Sequence, residues 1–314
     1  MAGQYIAGLR YTRHPEGLYA PIEYVLAMGG KRLRPVLMLM ACNLYKDDVT
    51  GILPQAAAIE IYHNYTLLHD DVMDRADLRR GKPTVHKVWS DNAAILSGDA
   101  MLVLAYDYMA QCPPSRLGEV LSVFGRTALG ICEGQQLDME FERRDDVSEA
   151  EYMEMIRLKT SVLLAGSLHI GALLGGAPAH DVARLYDFGI NTGLAFQLKD
   201  DLLDVYGDAS VFGKNIGGDI LCNKKTYLLI KAFELATPSQ AAELRHWLQV
   251  GDRPQEKIAA VTALYDQTGV RQACEERIDF YAGQASRCLA DVQVPDSRKQ
   301  ALDELGRRLV KREV

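Results

Sequence analysis

Residues 67–74 read LLHDDVMD and residues 196–204 read FQLKDDLLD, so an acidic D-D-x-x-D motif occurs twice in this chain. Apolar residues at helical spacing surround each motif, which predicts that both motifs lie on helices. The first and last carboxylates then stand one turn apart, with ~5–6 Å between their Cβ atoms, and the middle one points about 100° round the helix. Three like charges on one turn destabilise a helix unless something compensates them.

The size of this repulsion indicates a bound cation. Leucines flank both motifs and imply partial burial, and two carboxylates ~5 Å apart at an effective dielectric constant of about 20 repel by roughly 3 kcal/mol. The motifs offer only oxygen ligands, which favours a hard ion such as Mg²⁺, usually held by a few carboxylates and substrate phosphates. One such cluster is as often a solvated helix face, but two in matching apolar contexts favour a site for metal and diphosphate.

Composition narrows the class of protein. The chain has 314 residues, 48% of them hydrophobic and 25% charged, with a net charge of −7, so nothing in its bulk charge predicts a nucleic-acid partner. Six scattered cysteines without a CxxC pair, and no signal peptide, predict reduced thiols, a cytoplasmic location and no zinc site. Residues 162–179 are too few and too polar for a membrane span and predict a buried helix.

The hydrophobic pattern predicts an all-α fold. Apolar residues recur at helical spacing along nearly the whole chain, alternating β patterns are absent, and Gly or Pro breakers lie between the apolar runs. We expect about ten helices in one antiparallel bundle, a single domain over residues 1–314, because no flexible linker divides the chain. Residues 4–10 are too few to form a stable helix by themselves.

Two basic segments are suited to phosphate. Residues 29–35 read GGKRLRP, and Arg79-Arg80-Gly81 follows the first acidic motif. Adjacent arginines beside glycine can present bidentate donors to phosphate oxygens, although a basic loop alone is more often merely solvated. Residues 213–219 read GKNIGGD and are not a P-loop, because Asp208 replaces the first glycine and Asn215 follows Lys214. A glycine loop carrying one lysine fits a lid over a diphosphate instead.

Taken together and in order, these segments resemble the trans-isoprenyl diphosphate synthases, also called polyprenyl synthetases. The resemblance covers nearly the whole chain. The occurrence of all these motifs in the same order is far more specific than any single motif. The matching segments are GGKRLRP at 29–35, His63, residues 67–74, Arg79-Arg80-Gly81, Ser97-Gly98-Asp99, Gly134-Gln135, Lys159-Thr160, residues 196–204 and Gly213-Lys214.

The resemblance implies a helical bundle around a deep central cavity, a homodimer, and a metal-dependent reaction. It implies three Mg²⁺ ions, for which Mn²⁺ can substitute, that stabilise the diphosphate as its C–O bond ionises. The metal ligands that it implies are Asp70, Asp74 and Asp200, with Asp71, Asp201 and Asp204 in supporting roles.

The resemblance also implies two substrates, an allylic diphosphate and isopentenyl diphosphate, joined by 1'-4 head-to-tail condensation without a protein nucleophile. Arg79, Lys159 and Lys214 would hold the allylic diphosphate. The Thr160 hydroxyl and the Gln197 amide oxygen would face the allylic cation. Isopentenyl diphosphate would be bound by Lys31, Arg34, His63 and Arg80, and the remaining substrate-binding positions are Phe196 and Lys224.

Product length is expected to depend on Tyr65, five residues before the first motif. In the resembled family an aromatic residue here closes the cavity of short-chain enzymes, whereas animal-type farnesyl synthases carry a second aromatic where this chain has Thr66. Two extra residues found within the first motif of many bacterial enzymes are absent. The combination favours geranylgeranyl diphosphate (C20) as product, with farnesyl diphosphate (C15) as the alternative.

Other interpretations remain open from the residues alone. A terpene cyclase shares the fold and first motif but would carry a mixed Asn/Ser/Glu second motif. An all-α metal phosphohydrolase could use His69 and Asp70, but it would need more clustered histidines. A non-catalytic subunit of a heteromeric synthase would typically have lost its acidic motifs. Taken singly, His63 reads as an ordinary core histidine and Lys159 as an exposed helix residue.

Overall fold

The computed structural model describes residues 1–11, 13–207 and 216–311, and these form sixteen α-helices. Two single 3₁₀ turns, Thr50–Ile52 and Pro114–Arg116, precede α4 and α7, and a π-helical turn, Arg157–Ser161, joins α8 to α9. The helices are α1 (Ala2–Gly8), α2 (Glu16–Ala27), α3 (Leu33–Asn43), α4 (Leu53–Met73), α5 (Val85–Val88), α6 (Asp91–Met109), α7 (Leu117–Phe141), α8 (Glu149–Ile156), α9 (Val162–Gly175), α10 (Ala179–Tyr206), α11 (Gly218–Leu221), α12 (Tyr227–Leu235), α13 (Pro238–Gln249), α14 (Pro254–Thr268), α15 (Val270–Ala290) and α16 (Asp296–Val310).

The described strands form one small hairpin between α4 and α5. Strand β1 (Leu78–Arg79) pairs antiparallel with β2 (Lys82–Pro83). The two connecting residues, Arg80 and Gly81, have φ of 54° and 75°. Positive φ at both central positions is the signature of a type I′ turn, whose twist matches that of the flanking strands. The hairpin therefore holds Arg79 and Arg80 on a tight and well-defined turn.

The all-α prediction is confirmed, but its details need correction. Short helices such as α5 and α11 raise the number well above ten, because four residues are too few for an apolar period to register. Residues 4–10, too few to form a stable helix by themselves, are largely helical in the structure, since α1 occupies Ala2–Gly8. Ala2 and Ile6 are buried, and α1 packs on α2 and α4, so tertiary packing stabilises a helix too short to persist alone.

The chain divides into two compact units, and the first comprises residues 1–125 and 166–183. Its centre is the packing of α4 along α6, with α2 and α3 alongside. The α9 segment of this unit approaches α3 very closely. A Cβ at Gly171 would lie 2.1 Å from the Met38 carbonyl oxygen, so only glycine permits this contact. The first acidic motif and both basic segments belong to this unit.

The second unit comprises residues 126–165 and 184–314. Its core gathers buried side chains from α8, α10 and α12–α15, among them Tyr152, Leu198, Leu228 and Tyr265. The second acidic motif, on α10, belongs to this unit. The single domain over residues 1–314 stays a prediction.

Among the described residues, one helical run is long and apolar enough to cross a membrane, Glu149–Gly175. In the structure 78% of its most apolar window is buried against the rest of the chain. It therefore packs as a core helix, in agreement with the buried helix predicted for residues 162–179.

Candidate active site

The first acidic motif lies at the C-terminal end of α4. Asp70 and Asp71 occupy the last turn, and Asp74 is the C-cap residue, whose N–H donates to the Asp70 carbonyl at 2.8 Å. Carboxylates at a helix C-terminus oppose the helix dipole, so this placement costs stability. The motif therefore needs nearby positive charge, and part of it comes from the β-hairpin.

Arg79 supplies this charge. Its Nε and Nη2 donate to Asp71 Oδ1 at 2.9 and 2.6 Å, and its Nη2 lies 3.6 Å from Asp70 Oδ2. Burial raises the pKa of Asp71, while the hydrogen bonds from Arg79 pull it down. The middle carboxylate of the motif, Asp71, is thus paired with an arginine of the protein itself. Asp70 remains partly exposed and Asp74 is exposed.

The second motif repeats this division between a buried middle carboxylate and outer ones nearer the surface. Asp201 is 3% exposed and accepts hydrogen bonds from Gln197 Nε2, at 3.1 Å, and from the Tyr152 hydroxyl. Burial raises the pKa of Asp201 to about 7, helped by Asp219. Asp200 and Asp204 are partly exposed, and Asp204 Oδ2 accepts the Asp219 N–H at 2.9 Å. Both motifs therefore offer their first and last carboxylates on one helix face.

The donor chemistry of these outer carboxylates fits Mg²⁺. Mg²⁺ is usually bound by one or two carboxylates, with waters and substrate phosphates completing its octahedron. Over residues 1–11, 13–207 and 216–311, no group of three or more His, Cys, Asp or Glu side chains forms a self-sufficient metal site. The residues present suit an ion that arrives with phosphate oxygens.

The two predicted basic segments meet in the first unit. The Arg80 guanidinium donates to the Gly29 carbonyl, and a Cβ at Gly30 would lie 2.9 Å from Arg80 Cζ. Gly30, with φ of 132°, is favoured as glycine by its backbone conformation, and a Cβ there would displace the Arg80 guanidinium. The hairpin turn and the glycine-rich turn lie against each other, as a joint role in phosphate binding requires.

His63 and Arg34, predicted to bind the same substrate, are hydrogen-bonded in the structure. Arg34 Nη1 donates to His63 Nε2 at 3.0 Å. Burial, together with the surrounding arginines, holds the pKa of His63 well below its usual range, so the ring is neutral and can accept this bond. Burial also lowers the pKa of Arg34 to about 10. Lys31 is exposed at the edge of the same turn.

Lys159 and Thr160 lie on the π-helical turn in the second unit. Such turns are rare and frequent at functional sites. Two glycines pack against it: a Cβ at Gly134 would lie 2.4 Å from Lys159 N, and one at Gly193 would lie 2.6 Å from Ser161 Cα. Lys159 Nζ forms a 2.5 Å ion pair with Asp138 Oδ2. Close packing against Gly134 and Gly193 therefore fixes the position of the turn, and the ion pair with Asp138 orients Lys159.

Thr160 and Gln197, which the resemblance implies face the allylic cation, are hydrogen-bonded to each other. The Thr160 hydroxyl donates to Gln197 Oε1 at 3.1 Å, and the amide nitrogen of Gln197 donates to Asp201. The buried carboxylate thereby fixes the orientation of the Gln197 amide. Phe196 is partly buried on the same helix, and Lys224 Nζ lies 3.9 Å from Asp219 Oδ1. Lys214 lies outside the described residues.

Tyr65 is braced by other rings of the first unit. Its ring centroid lies 5.4 Å from that of Tyr62 and 4.8 Å from that of His69. The Thr66 hydroxyl donates to the His63 carbonyl at 2.8 Å, one turn back on α4. His69 Nε2 lies 3.1 Å from the Ile95 carbonyl oxygen on α6, which does not favour a metal dyad of His69 with Asp70.

The sequence reasoning did not identify three residues: Asp138 and Tyr152 of these networks, and Glu60, whose Oε1 accepts a hydrogen bond from Arg32 Nη1 at 2.5 Å. Helical spacing could have found two of them. Glu60 lies three residues before His63, and Asp138 lies four residues after Gly134, so each shares a helix face with a residue already singled out. The bond from Tyr152 to Asp201 spans 49 positions and had no such local signal.

Comparison with known proteins gives a consistent result. The sequence model of the polyprenyl synthetase family matches residues 15–267. A geranylgeranyl diphosphate synthase of Methanosarcina mazei is 44% identical over 70% of this chain and 68% of its own length. A geranylfarnesyl diphosphate synthase of Natronomonas pharaonis is 35% identical over 96% and 92%. A crystal structure of a geranylgeranyl pyrophosphate synthase superimposes with a TM-score of 0.93 at 43% identity, covering 100% of this chain and 96% of that one.

Proposed function

Because the chain belongs to the polyprenyl synthetase family and is a prenyltransferase, we propose that it condenses isopentenyl diphosphate with allylic diphosphates, head to tail, to give geranylgeranyl diphosphate. Farnesyl diphosphate is the second candidate product. The main support is the pair of matching acidic motifs, in which the middle carboxylate is buried and hydrogen-bonded while the outer ones are nearer the surface. The family match weighs against a terpene cyclase or an all-α phosphohydrolase.

Enzymes of this class are generally dependent on a divalent metal. We propose Asp70, Asp74 and Asp200 as the ligands of three Mg²⁺ ions, for which Mn²⁺ can substitute. When bound, the metal neutralises the charge that develops on the departing diphosphate. Asp71 serves a different purpose, because it holds Arg79 with two hydrogen bonds and so presents a fixed guanidinium to that diphosphate.

The isopentenyl diphosphate is assigned to the first unit. Arg34, Arg80 and Lys31 supply positive charge, and neutral His63 accepts a hydrogen bond from Arg34, which orients the guanidinium. A guanidinium held in this way loses little conformational entropy when it binds a phosphate oxygen. Arginines are suited to this role because their forked donors match phosphate geometry.

The second unit also contributes residues to the allylic substrate. Lys159, oriented by Asp138, carries the positive charge, and Lys224 and Phe196 line the substrate. The carbonyl dipole of Gln197 and the Thr160 hydroxyl stabilise the allylic cation, because Asp201 holds the amide in one orientation. The proton lost after condensation goes to the departing diphosphate, so this step needs no general base from the chain. We also assign Lys214, which lies outside the described residues, to the diphosphate.

Tyr65 is proposed to limit product length. The ring is supported by Tyr62 and His69, so a growing hydrocarbon chain cannot easily displace it. The names of the relatives include both geranylgeranyl and geranylfarnesyl diphosphate synthases, which differ by one isoprene unit. Support for geranylgeranyl over geranylfarnesyl diphosphate therefore comes from the bulk of the Tyr65 side chain.

We further propose a homodimer, with a second copy covering one face of α6. Leu96 and Val103 lie two turns apart on this face and are 60% and 69% exposed, with Ile95 at 42% beside them. Large exposed aliphatic side chains grouped on one helix commonly mark an interface. Sedimentation of the purified chain should give twice the monomer mass, and Leu96→Asp with Val103→Asp should shift it to the monomer.

One experiment tests the proposed reaction. Purified protein is incubated with labelled isopentenyl diphosphate and, separately, with dimethylallyl, geranyl and farnesyl diphosphates, with Mg²⁺ or with EDTA. We expect metal-dependent C20 product from all three primers. Product that stops at C15 would favour the farnesyl alternative, and cyclic hydrocarbon or free phosphate alone would contradict the proposal.

A further inference from the structure

A buried carboxylate lies among the arginines of the first unit and has no part in the reaction as described so far. Glu60, on α4, is 2% exposed. Its Oε1 accepts a 2.5 Å hydrogen bond from Arg32 Nη1 and a 3.0 Å bond from Asn64 Nδ2. A buried charge is tolerated when it is paired and hydrogen-bonded, as this one is.

Arg32, the partner of Glu60, has an unfavourable backbone conformation. It is the N-cap residue of α3 and has φ of 48° and ψ of 37°, in the left-handed region that non-glycine residues rarely adopt. Its side chain is anchored twice, because Nη2 also donates to the Leu26 carbonyl at 2.7 Å. A strained residue persists where its surroundings over-determine it. The Glu60 bridge is one of the contacts that hold Arg32 in place.

The strained residue sits between two side chains that we assign to isopentenyl diphosphate. Lys31 precedes Arg32 directly, and Arg34 follows two residues later on the first turn of α3. Any change in the backbone at Arg32 moves both. The carboxylate of Glu60 therefore controls, through Arg32, the relative placement of two phosphate-binding groups.

Glu60 also balances the charge of this cluster. Its negative charge favours the charged form of both Arg34 and Arg80, opposing the burial that lowers their pKa values. Four arginines contribute to the field at His63: Arg32, Arg34, Arg79 and Arg80. A compensating carboxylate lets these cations remain close together while no diphosphate is bound.

We propose that Glu60 is a positioning residue for isopentenyl diphosphate, holding Arg32 in its left-handed conformation and thereby setting the places of Lys31 and Arg34. It does not touch the substrate. The assignment rests on the proposed function, since it concerns the site of that co-substrate. It predicts a selective effect on one substrate, whereas a merely structural ion pair would affect stability and both substrates alike.

The test compares Glu60→Gln with the unaltered enzyme. The glutamine keeps the size and one carbonyl acceptor but removes the charge. We expect the KM for isopentenyl diphosphate to rise about 10-fold or more, the scale of one misplaced charged hydrogen bond, while the KM for geranyl diphosphate stays within about twofold. Calorimetric titration with isopentenyl diphosphate alone should show the same loss without turnover.

Two further variants make the result specific. Asp181→Asn is the matched control, because Asp181 is equally buried in the same unit, accepts from Tyr45 at 2.8 Å and lies outside the arginine cluster. It should lower the melting temperature without changing either KM. If Glu60→Gln is too unstable to purify, Arg32→Gln removes the same bridge from its more exposed end and should give the same selective rise.

The double variant Glu60→Gln with Arg32→Gln should bind isopentenyl diphosphate no more weakly than the worse single variant, because both changes break one contact. Equal rises in both KM values, or no rise in either, would overturn the proposal while leaving the prenyltransferase assignment intact. An unaltered enzyme without condensation activity would instead overturn the proposed function itself.

Discussion

Lys159 and Asp138 form a 2.5 Å ion pair in which both side chains remain partly exposed, at 27% and 20%. The pair links α7 to the π-helical turn, next to the point where Gly134 lets the two backbones touch. A lysine has a flexible stem, so it needs such a partner to present its ammonium group in one place. The lysine is thus oriented before any substrate arrives.

Replacing Asp138 with Asn should therefore weaken the binding of the allylic substrate. Without Asp138 the ammonium group of Lys159 is held less firmly in place, and we expect the KM for geranyl diphosphate to rise roughly 10-fold, the scale of one charge-assisted hydrogen bond. Steady-state kinetics with each substrate varied in turn measures this. Glu154→Gln is the control, because it breaks an exposed ion pair with Arg157 beside the same turn. An unchanged KM in Asp138→Asn would show that Lys159 needs no such support.

Activity should depend on the outer carboxylates of both motifs. Asp70→Ala and Asp200→Ala should each lower kcat by orders of magnitude, since metal-assisted departure of the diphosphate has no substitute in the chain. Both variants should remain folded, because each removes a like charge from a crowded helical turn. Circular dichroism and product formation are measured together. Asp77→Ala, 79% exposed and paired with Lys87, is the control; near-normal turnover by either motif variant would rule out our metal ligands.

Arg80→Ala should weaken the binding of isopentenyl diphosphate more than the binding of the allylic substrate. Removing a charge-assisted hydrogen bond of roughly 1.5–3 kcal/mol corresponds to about one to two decades in affinity. The neighbouring Lys82→Ala on β2 controls for the loss of positive charge on the exposed hairpin. We would abandon the assignment if both Michaelis constants rose equally in Arg80→Ala.

Substitutions on α4 should be able both to lengthen and to shorten the product. Tyr65→Ala removes a ring that Tyr62 and His69 support, and we expect products longer than C20. Thr66→Phe adds an aromatic one position on and should shorten the product towards C15. Chromatography of the dephosphorylated alcohols reads out both changes. An unchanged distribution in a folded, active Tyr65→Ala variant would place the limit on chain length elsewhere.

Because His63 is neutral in the folded protein, it should contribute to the pH dependence of the free energy of unfolding. Its folded pKa lies well below the value of about 6.5 expected in the unfolded chain. As the pH falls below about 6.5 the unfolded chain therefore binds the proton first, and the free energy of unfolding decreases. Chemical denaturation from pH 7 to 5 should show a smaller decrease in His63→Gln. A slope in His63→Gln identical to that of the unaltered chain would contradict a neutral His63 ring.

Much of the chemistry could be predicted from the sequence because it depends on local spacing. The D-D-x-x-D motifs at Asp70 and Asp200 show their shared helix face directly, since the helical period alone places the first and last carboxylates one turn apart. The apolar period likewise predicts the all-α class. The number of helices and the existence of α1 could not be predicted this way, because short helices take their stability from packing against other elements.

What the sequence by itself determined is therefore the set of charged groups and the helices that carry them. Only the tertiary structure decided which of these groups are committed to one another: Asp71 to Arg79, Asp201 to Gln197 and Tyr152, and Glu60 to Arg32. The physical reason is that burial and pairing depend on distances between residues far apart along the chain, which no local period encodes. Burial then separates chemically identical carboxylates into those that hold the framework and those that lie nearer the surface, which we propose as metal ligands.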